Sequence, residues 1–265
     1  MPDDAPALDA ALSQRLERVS AAYLEQRYSG PGNPMGTQWL RVGDVVAHKV
    51  PHCPDMPFMN GVHGLTDAAL LDQVLSFYAA TEQPCWIDVT PYTPPVVVRR
   101  LEECGFTAAT EASVLVGFPR DDEHDPRVDV RPIARHELNL FLDTLNEGFE
   151  VDPASRAVIR HNQQFWIDVP NWRLYLARVD GRPAGAAVLA LTDDVGYLAV
   201  ASTAPEFRGR GVHTATVRRR VADAHAAGVE LVSAEAYAAS ISDRNLQRCG
   251  LRVAHVKTVW TNLVR

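Results

Sequence analysis

One segment of the chain has the composition of a loop that holds phosphate groups, namely Arg208-Gly209-Arg210-Gly211-Val212-His213-Thr214. The two glycines allow the backbone to approach an anion closely, and the amides that open a following helix carry partial positive charge. Arg208 and Arg210 add two full positive charges beside them. We therefore predict that this segment, the phosphate loop, binds a diphosphate.

The segments on either side must position this loop. An apolar run at 195–201 predicts a strand before it, and apolar residues at helical spacing predict a helix that starts at Val212 and stops at Gly228. The segment lacks the Gly-Lys-Ser/Thr of a Walker-type loop and the Gly-x-Gly-x-x-Gly of a dinucleotide site, so neither of these sites is predicted. Arg-Gly-Arg-Gly strings also occur in basic segments that touch nucleic acid, but a position between a strand and a helix favours a phosphate loop.

The phosphate loop resembles the Arg/Gln-x-x-Gly-x-Gly/Ala signature of the GCN5-related N-acetyltransferase (GNAT) superfamily, which places it between a central strand and a helix. His213 departs from the usual final Gly or Ala. The resemblance implies that acetyl-coenzyme A (acetyl-CoA) is the cosubstrate and that its diphosphate lies on residues 208–214. It further implies that strand 197–202 diverges from strand 230–235 and leaves a gap for the pantetheine arm.

In that gap, backbone groups of Leu198, Val200 and Ser202 would pair with the cofactor amides, and Asn245 of the last helix is a further expected contact. The Val200 amide is the expected donor to the thioester carbonyl. A preorganised donor of this kind contributes about 3 kcal/mol as negative charge builds on the oxygen.

The catalytic groups are less clearly marked. GNAT enzymes commonly carry an acidic tyrosine four residues before the glycine of the last helix, and Leu246 stands at that position here. Tyr237 is the nearest substitute, Glu235 would serve as a base through water, and Ser202 would contact the cofactor. In the structural alternatives, Tyr237 is a rim or core aromatic, Glu235 is a solvated or paired charge, and Ser202 only satisfies a backbone group. Catalysis by proximity, with solvent taking the proton, is also open.

Acceptor recognition is expected from residues 146–152, where three carboxylates surround Phe149 and would attract a cationic amine. The alternative is a polar turn that leads into a helix capped at Asp152-Pro153.

The overall composition, with 265 residues, a net charge of −7 and 46% hydrophobic residues, is that of a globular protein and argues against broad nucleic-acid binding. The four cysteines lack paired metal spacing and are expected to be reduced thiols. No run approaches the roughly 20 apolar residues of a membrane span, so we expect a cytoplasmic protein without a signal peptide. We also predict no metal site, because prolines interrupt His48, His52 and Cys53.

A charged, proline-flanked linker at 119–126 is predicted to join an N-terminal lobe, residues 1–118, to a C-terminal lobe, residues 127–265. The C-terminal lobe has an element order that resembles the GNAT fold over its full length. The predicted strands are 128–131, 173–179, 184–191, 195–201, 230–235 and 251–260, and the predicted helices are 133–147, 153–167, 212–227 and 240–249.

The N-terminal lobe resembles a degenerate copy of the C-terminal one. An offset of 145 residues aligns Arg99-x-Leu101-x-x-Cys104-Gly105 with Arg244-x-Leu246-x-x-Cys249-Gly250, and the surrounding element order agrees. In place of the phosphate loop this lobe has Asn60-Gly61-Val62-His63-Gly64-Leu65-Thr66-Asp67, without arginine and with Asp67 as a helix cap. Such a segment would repel a diphosphate, so the lobe is expected to support its partner or shape the acceptor pocket.

A leading amphipathic helix at 8–28 is expected to pack against the N-terminal lobe. Its apolar positions are Leu8, Leu12, Leu16, Val19 and Leu24.

Together these features predict an α/β (α+β) protein with the acyl-CoA N-acyltransferase (GNAT) fold, a mixed central sheet flanked by helices, in two tandem lobes. The predicted activity is direct transfer of an acetyl group from acetyl-CoA to an amine. The alternative is a non-catalytic acyl-CoA binding or sensing module, and a hydrolase has less support because no nucleophile is assembled. A monomer or a homodimer is expected, since a tandem chain imitates a dimer internally.

Overall fold

The computed structural model describes residues 8–51, 53, 59–80, 83–121, 126–192 and 194–263. Within them, helices α1 to α7 span Ala10–Tyr28, Leu71–Ala79, Pro95–Glu103, Leu138–Gly148, Pro153–Gln163, Val212–Ala226 and Ile241–Arg248. Strands β1 to β11 span Gln38–Val42, Val45–Lys49, Gly61–His63, Trp86–Val89, Thr107–Gly117, Asp129–Pro132, Trp172–Val179, Arg182–Leu191, Val195–Thr203, Leu231–Tyr237 and Arg252–Thr261.

The strands of both lobes form one mixed sheet, with the order β1-β2-β3-β4-β11-β5-β10-β9-β8-β7-β6 across the described residues. The last strand of each lobe lies in the half of the sheet that belongs to the other lobe. Strand β5 pairs antiparallel with β10, and β11 pairs antiparallel with β4. Strands β5 and β11 also pair with each other at the centre. The two predicted lobes therefore share one sheet in which their last strands are exchanged.

The elements predicted for the C-terminal lobe all occur in the predicted order. The predicted helices at 133–147 and 153–167 each contain an α-helix and a short 3₁₀ segment, Arg135–Glu137 or Gln164–Asp168. Local caps explain the boundaries. The Asp152 carboxylate accepts from the Ala154 amide before α5, and the Ser240 hydroxyl accepts from the Asp243 amide before α7.

Several elements recur at the offset of the predicted repeat. Strands β4 and β10 begin at Trp86 and Leu231, and strands β5 and β11 begin at Thr107 and Arg252, in agreement with the offset of the sequence repeat. Helices α3 and α7 both end before a glycine with positive φ. The division into two lobes and a linker remains a prediction, and residues 122–125 of that linker lie outside the described residues.

The packing predicted for the leading helix is only partly right. Leu12, Leu16 and Val19 of α1 lie in a core with residues of the C-terminal lobe such as Tyr197, whereas Leu8 is exposed. The same core includes Val114 and Val116 of the N-terminal lobe, and Tyr28, at the end of α1, lies in a further core with Met35 and Val50 of that lobe. The apolar stripe of a helix shows that a face is buried, but it does not specify which surface covers that face.

Candidate functional site at the junction of the two lobes

A gap opens in the sheet between β9 and β10. These parallel strands pair only from Val195 with Leu231 to Tyr197 with Ser233. Beyond that point β10 continues to pair with β5 as far as Tyr237. The predicted divergence of residues 197–202 from the following strand is therefore present, and it leaves backbone groups of β9 facing an open space.

A bulge in β9 shapes one wall of this gap. Between Leu198 and Ala201, β9 contains one more residue than the facing segment of β8. The buried guanidinium of Arg220 on α6 donates to the carbonyls of Val188 and Ala199, at 2.9 and 3.1 Å. Burial lowers the pKa of Arg220 to about 10, so the group remains cationic at neutral pH. These bonds fix the bulge at the residue before Val200.

The Val200 amide, the expected donor to a thioester carbonyl, approaches the hydroxyl of Tyr23 on α1 without closing a hydrogen bond. Burial raises the pKa of Tyr23, and the nearby Arg27 charge and the Val200 amide oppose that rise. The phenol is therefore protonated at neutral pH. The sequence did not indicate Tyr23, because its role depends on where α1 packs.

The phosphate loop lies where β9 ends and α6 begins. Gly209 and Gly211 have φ of 77° and 81°, a left-handed conformation that glycine adopts without steric cost. Within the described residues, the amides of Gly209 and of residues 211–214 donate to no carbonyl, and no side chain caps the helix at Gly211. The loop thus presents a row of available amides at the positive end of a 15-residue helix.

Both arginines of the loop form exposed ion pairs. The Arg208 guanidinium contacts the Glu150 carboxylate at 2.8 Å, and the Arg210 guanidinium contacts Asp180 at 3.1 Å. Exposed pairs of this kind contribute about 1 kcal/mol or less. A phosphate would therefore compete for either arginine at little cost.

His213 and Asn245 lie together at the start of α6. The Asn245 amide nitrogen is 3.4 Å from His213 Nδ1, and the Asn245 oxygen accepts from Arg248. Burial and the nearby Arg220 charge lower the pKa of His213 to about 4. The imidazole is therefore neutral at neutral pH and adds no charge to the phosphate loop.

The acidic segment predicted to recognise the acceptor has mainly structural contacts. The Asn146 side chain bonds the Gln163 side chain, Glu150 pairs with Arg208, and Asp152 caps α5. Phe149 alone among these residues lines the cavity described below. The turn and cap interpretation describes this segment better, because the carboxylates of Glu150 and Asp152 are engaged elsewhere.

The three predicted catalytic residues differ in their surroundings. Ser202 is buried and donates to the Leu145 carbonyl at 3.0 Å, which anchors α4 to β9 and matches the structural alternative. Tyr237 is 54% exposed and lies at the rim of the cavity, whereas Leu246 lines the cavity from a buried position. Glu235 lies inside the cavity.

A cavity of about 390 Å³ joins the gap to the N-terminal lobe. Its wall includes β9 and α6 of the C-terminal lobe, the side chains of α1, and residues of β3, β4 and β11. The lining residues that the sequence did not indicate as a site include Ser20, Tyr23, Leu24, Arg27, His63, Trp86, Asp88 and Lys257.

A buried cluster of charges, the Lys257 cluster, forms one side of this cavity. The Lys257 ammonium lies 3.1 Å from Glu17, 2.9 Å from Asp88 and 3.1 Å from Glu235. Burial opposes the charge of Lys257, but the three carboxylates outweigh it and raise its pKa well above the usual value. The other oxygen of Glu235, Oε1, is buried and has no partner among the described residues.

Two histidines extend the Lys257 cluster. His63 Nδ1 lies 2.9 Å from the Asp88 carboxylate, and His255 Nε2 lies 2.8 Å from the Glu17 carboxylate. Four chain segments supply these side chains, from α1, β3, β4 and β11. The sequence does not reveal this cluster, because a polar residue in a strand does not show which distant side chains it will contact.

Acid is expected to destabilise this cluster. Burial would raise the pKa of Asp88 and Glu17, but the Lys257 charge outweighs it and lowers both values. Their contribution to stability is complete above the unfolded pKa of about 4 and is lost as the pH falls through the folded values. Chemical denaturation between about pH 6 and pH 3 should show this loss, and Asp88→Asn should reduce its slope. An equal dependence of stability on pH in both proteins would contradict the contribution assigned to the Asp88 carboxylate.

The N-terminal counterpart of the phosphate loop is shorter than the sequence suggested. Gly61–His63 forms strand β3, so only residues 64–67 connect it to the following helical segment. Asp67 caps that segment by accepting from the Ala69 amide at 2.9 Å, as predicted.

Within the ranges that the structure describes, no group of His, Cys, Asp or Glu is positioned to hold a metal ion. Of the three residues weighed for such a site, His48 is buried and stacks on Tyr28, Cys53 is buried, and His52 lies outside the described residues. In the same ranges, no helix combines the length and apolarity that a bilayer crossing requires.

Comparison with known proteins agrees with this architecture. Residues 128–234 match the family described as "Acetyltransferase (GNAT) domain". A search of curated proteins finds no significant match.

Several solved structures resemble the whole chain. A GCN5-related N-acetyltransferase from Kribbella flavida has 17% identity and a TM-score of 0.64, with 94% of this chain and 96% of that chain covered. One from Sphaerobacter thermophilus has 16% identity and a TM-score of 0.61, with 98% and 96% covered. A tandem GNAT protein from the clavulanic acid biosynthesis pathway has 12% identity and a TM-score of 0.60, with 97% and 96% covered. At these identities the likeness concerns the fold.

Proposed function

We propose that this chain is a GNAT enzyme that transfers the acetyl group of acetyl-CoA directly to an amine, because residues 128–234 match the GNAT acetyltransferase domain and the chain has the fold of GNAT proteins. The observation that carries the proposal is the continuity between the gap of β9 and β10 and the phosphate loop. The available amides of the phosphate loop are followed by the part of β9 that does not pair with β10, and this part of β9 lines the cavity that contains the Glu235 carboxylate.

The residues of the phosphate loop fit the chemistry of coenzyme A. The available amides of Gly209 and residues 211–214, with Arg208 and Arg210 beside them, would hold the diphosphate. Backbone groups of Leu198, Val200 and Ser202 would accompany the pantetheine arm, and Asn245 would contribute beside His213. Acetyl-CoA would supply the activated thioester.

The chain would contribute position and polarity to the transfer. The Val200 amide, with the Tyr23 hydroxyl close to it, would stabilise negative charge on the thioester oxygen. The Glu235 carboxylate, whose Oε1 accepts from no donor among the described residues, would attract a cationic amine. The aromatic and apolar lining would exclude water from the acyl group. Ser202, in contrast, would act by anchoring α4.

Release of coenzyme A tests the proposal against the alternative of a sensing module. Purified protein is incubated with acetyl-CoA, and free thiol is measured with and without a panel of primary amines. Amine-dependent release is expected, because no protein nucleophile is needed for direct transfer. Binding of acetyl-CoA without release by any amine would favour the sensing module. Equal release without amine would indicate a hydrolase.

Tyr237→Phe tests the acid suggested by the sequence. If the phenol protonates the departing thiolate, turnover should fall by at least about tenfold while the Kd of acetyl-CoA stays unchanged. Because Tyr237 is exposed, we expect the variant to fold as the parent protein does. Turnover equal to that of the parent protein would remove Tyr237 from the mechanism.

A further inference from the structure

Besides the Tyr23 hydroxyl next to Val200, three buried polar atoms line the cavity without a hydrogen-bond partner among the described residues: Trp86 Nε1, His63 Nε2 and Glu235 Oε1. Trp86 is only 5% exposed. Buried polar groups are nearly always paired, because an unmade hydrogen bond costs free energy. Three such atoms around one cavity therefore indicate a polar ligand that completes their hydrogen bonds.

The neighbours of His63 define what its free nitrogen can do. Asp88 is ionised, because the Lys257 charge outweighs burial and lowers its pKa, so its carboxylate accepts the proton on His63 Nδ1. In the neutral imidazole this leaves a lone pair on Nε2. The ring fits because residue 61 is glycine, since a Cβ there would lie 3.0 Å from Nε2. His63 is thus an oriented proton acceptor at the cavity wall.

The two other atoms have complementary requirements. The Trp86 indole only donates, so it needs an oxygen or another acceptor. Glu235 Oε1 only accepts while the carboxylate is ionised, so it needs an N–H or O–H group. Among the charged residues that line the cavity, Asp88 and Glu235 are acidic and Arg27, Arg220 and Lys257 are basic, so the requirement is local to Glu235 Oε1. An ammonium group meets it, because it donates N–H groups and carries the charge opposite to that of the carboxylate.

We propose that the N-terminal lobe completes the acceptor site for an organic ammonium that also bears a hydroxyl or carbonyl oxygen. The ammonium donates to Glu235 Oε1, the oxygen accepts from Trp86 Nε1, and His63 Nε2 removes the proton that blocks attack. This inference rests on the proposed acetyl transfer and names its substrate class and base. The lobe without a phosphate loop would thereby supply catalytic residue His63.

The chemical step balances as follows. One proton passes from the ammonium to His63 Nε2, and the freed lone pair of the amine attacks the thioester carbon. A C–N bond forms, the C–S bond breaks, and the electron pair of that bond leaves with the coenzyme A sulfur. The second amine proton neutralises the thiolate, and the proton on His63 passes to solvent. Asp88 stabilises the transient imidazolium without itself being protonated.

The recognition step is tested with two probes of similar size, the amino alcohol propanolamine and the plain amine butylamine. With acetyl-CoA saturating, propanolamine should show a KM at least about tenfold lower than butylamine does. Trp86→Phe should remove that preference, whereas Glu235→Gln should raise the KM of both amines. A preference that persists in Trp86→Phe, or that is absent from the parent protein, would overturn the inference.

A readout of binding keeps this test independent of turnover. The indole N–H resonance of Trp86, identified by its loss in Trp86→Phe, should shift when propanolamine is added in the presence of coenzyme A. An unmoved resonance up to the highest soluble concentration would contradict the site. Calorimetry with acetyl-CoA on the same samples distinguishes the two proposals. Absent cofactor binding defeats the proposed function, whereas intact binding with an unmoved resonance defeats only the acceptor site.

The base is tested by chemical rescue. His63→Ala should lower kcat by about 10² or more and leave the Kd of acetyl-CoA unchanged. Added imidazole should restore part of kcat, whereas pyrazole, which has nearly the same shape and is a much weaker base, should not. His48→Ala is the control for loss of ring packing, because His48 stacks on His63 at 5.7 Å. Equal rescue by both heterocycles, or none, would overturn the role of His63.

Discussion

Replacing Gly211 by aspartate is expected to weaken acetyl-CoA binding by at least about 100-fold, or about 2.7 kcal/mol. The substitution adds a carboxylate at the start of α6, where the amides of residues 211–214 are available to an anion. It also puts a Cβ at a φ of 81°. Calorimetric titration measures the change against a parent Kd expected in the micromolar range, about 8 kcal/mol.

Matched variants separate charge from backbone strain. Gly211→Ala carries the same strain without the charge, so its loss of affinity should be clearly smaller. Arg208→Glu should resemble Gly211→Asp, because it replaces a cation of the loop by a second carboxylate beside Glu150. Glu150→Gln should bind acetyl-CoA at least as tightly as the parent protein does, because it removes the ion pair between Arg208 and Glu150. Unchanged affinity in both acidic variants would remove the diphosphate from this loop.

Replacing Lys257 by methionine is expected to lower the free energy of unfolding by about 3–5 kcal/mol. The ammonium is 3% exposed and is shared by Glu17, Asp88 and Glu235. Methionine fills a similar volume but leaves the buried Asp88 carboxylate and the partly buried Glu17 and Glu235 carboxylates without their shared cation. Urea denaturation at neutral pH measures the loss.

The pH dependence distinguishes this mechanism from poor packing. Without Lys257 the carboxylates should have folded pKa values above their unfolded ones, so protonation favours the folded state. The variant should therefore gain stability as the pH falls from about 7 towards 5, where the parent protein changes little. Lys49→Met is the control, because buried Lys49 contacts the Phe77 ring and carbonyl and forms no ion pair within the described ranges. The same pH trend in both variants would contradict the cluster.

The lengths and order of the elements were predictable because their signals are local. Gly250 follows α7, Ser240 and Asp152 cap helices, and the apolar spacing of β7, β8 and β9 marks strands. Each signal acts over a few residues through dihedral preferences, caps or side-chain periodicity. The phosphate loop belongs to the same class, because a strand, two glycines and a helix start are consecutive in the chain.

The exchange of β5 and β11 was not predictable in this way. The pairing of β5 with β10 and of β11 with β4 depends on which strands meet after the chain has folded back. Apolar alternation specifies that a strand is buried, but it does not select the neighbouring strand. The packing of α1 on the C-terminal lobe escaped prediction for the same reason.

The sequence by itself determined the elements of residues 127–265, the 145-residue offset between corresponding strands, and the glycine-rich segment at the start of α6, for which it predicts phosphate binding. Only the tertiary structure brought Glu235 together with Lys257, Asp88 and His63, and set Tyr23 beside Val200. The physical reason is the range of the interactions. Caps, turns and periodicity act between near neighbours, whereas a buried charge cluster is assembled from distant segments whose meeting depends on sheet pairing and helix packing.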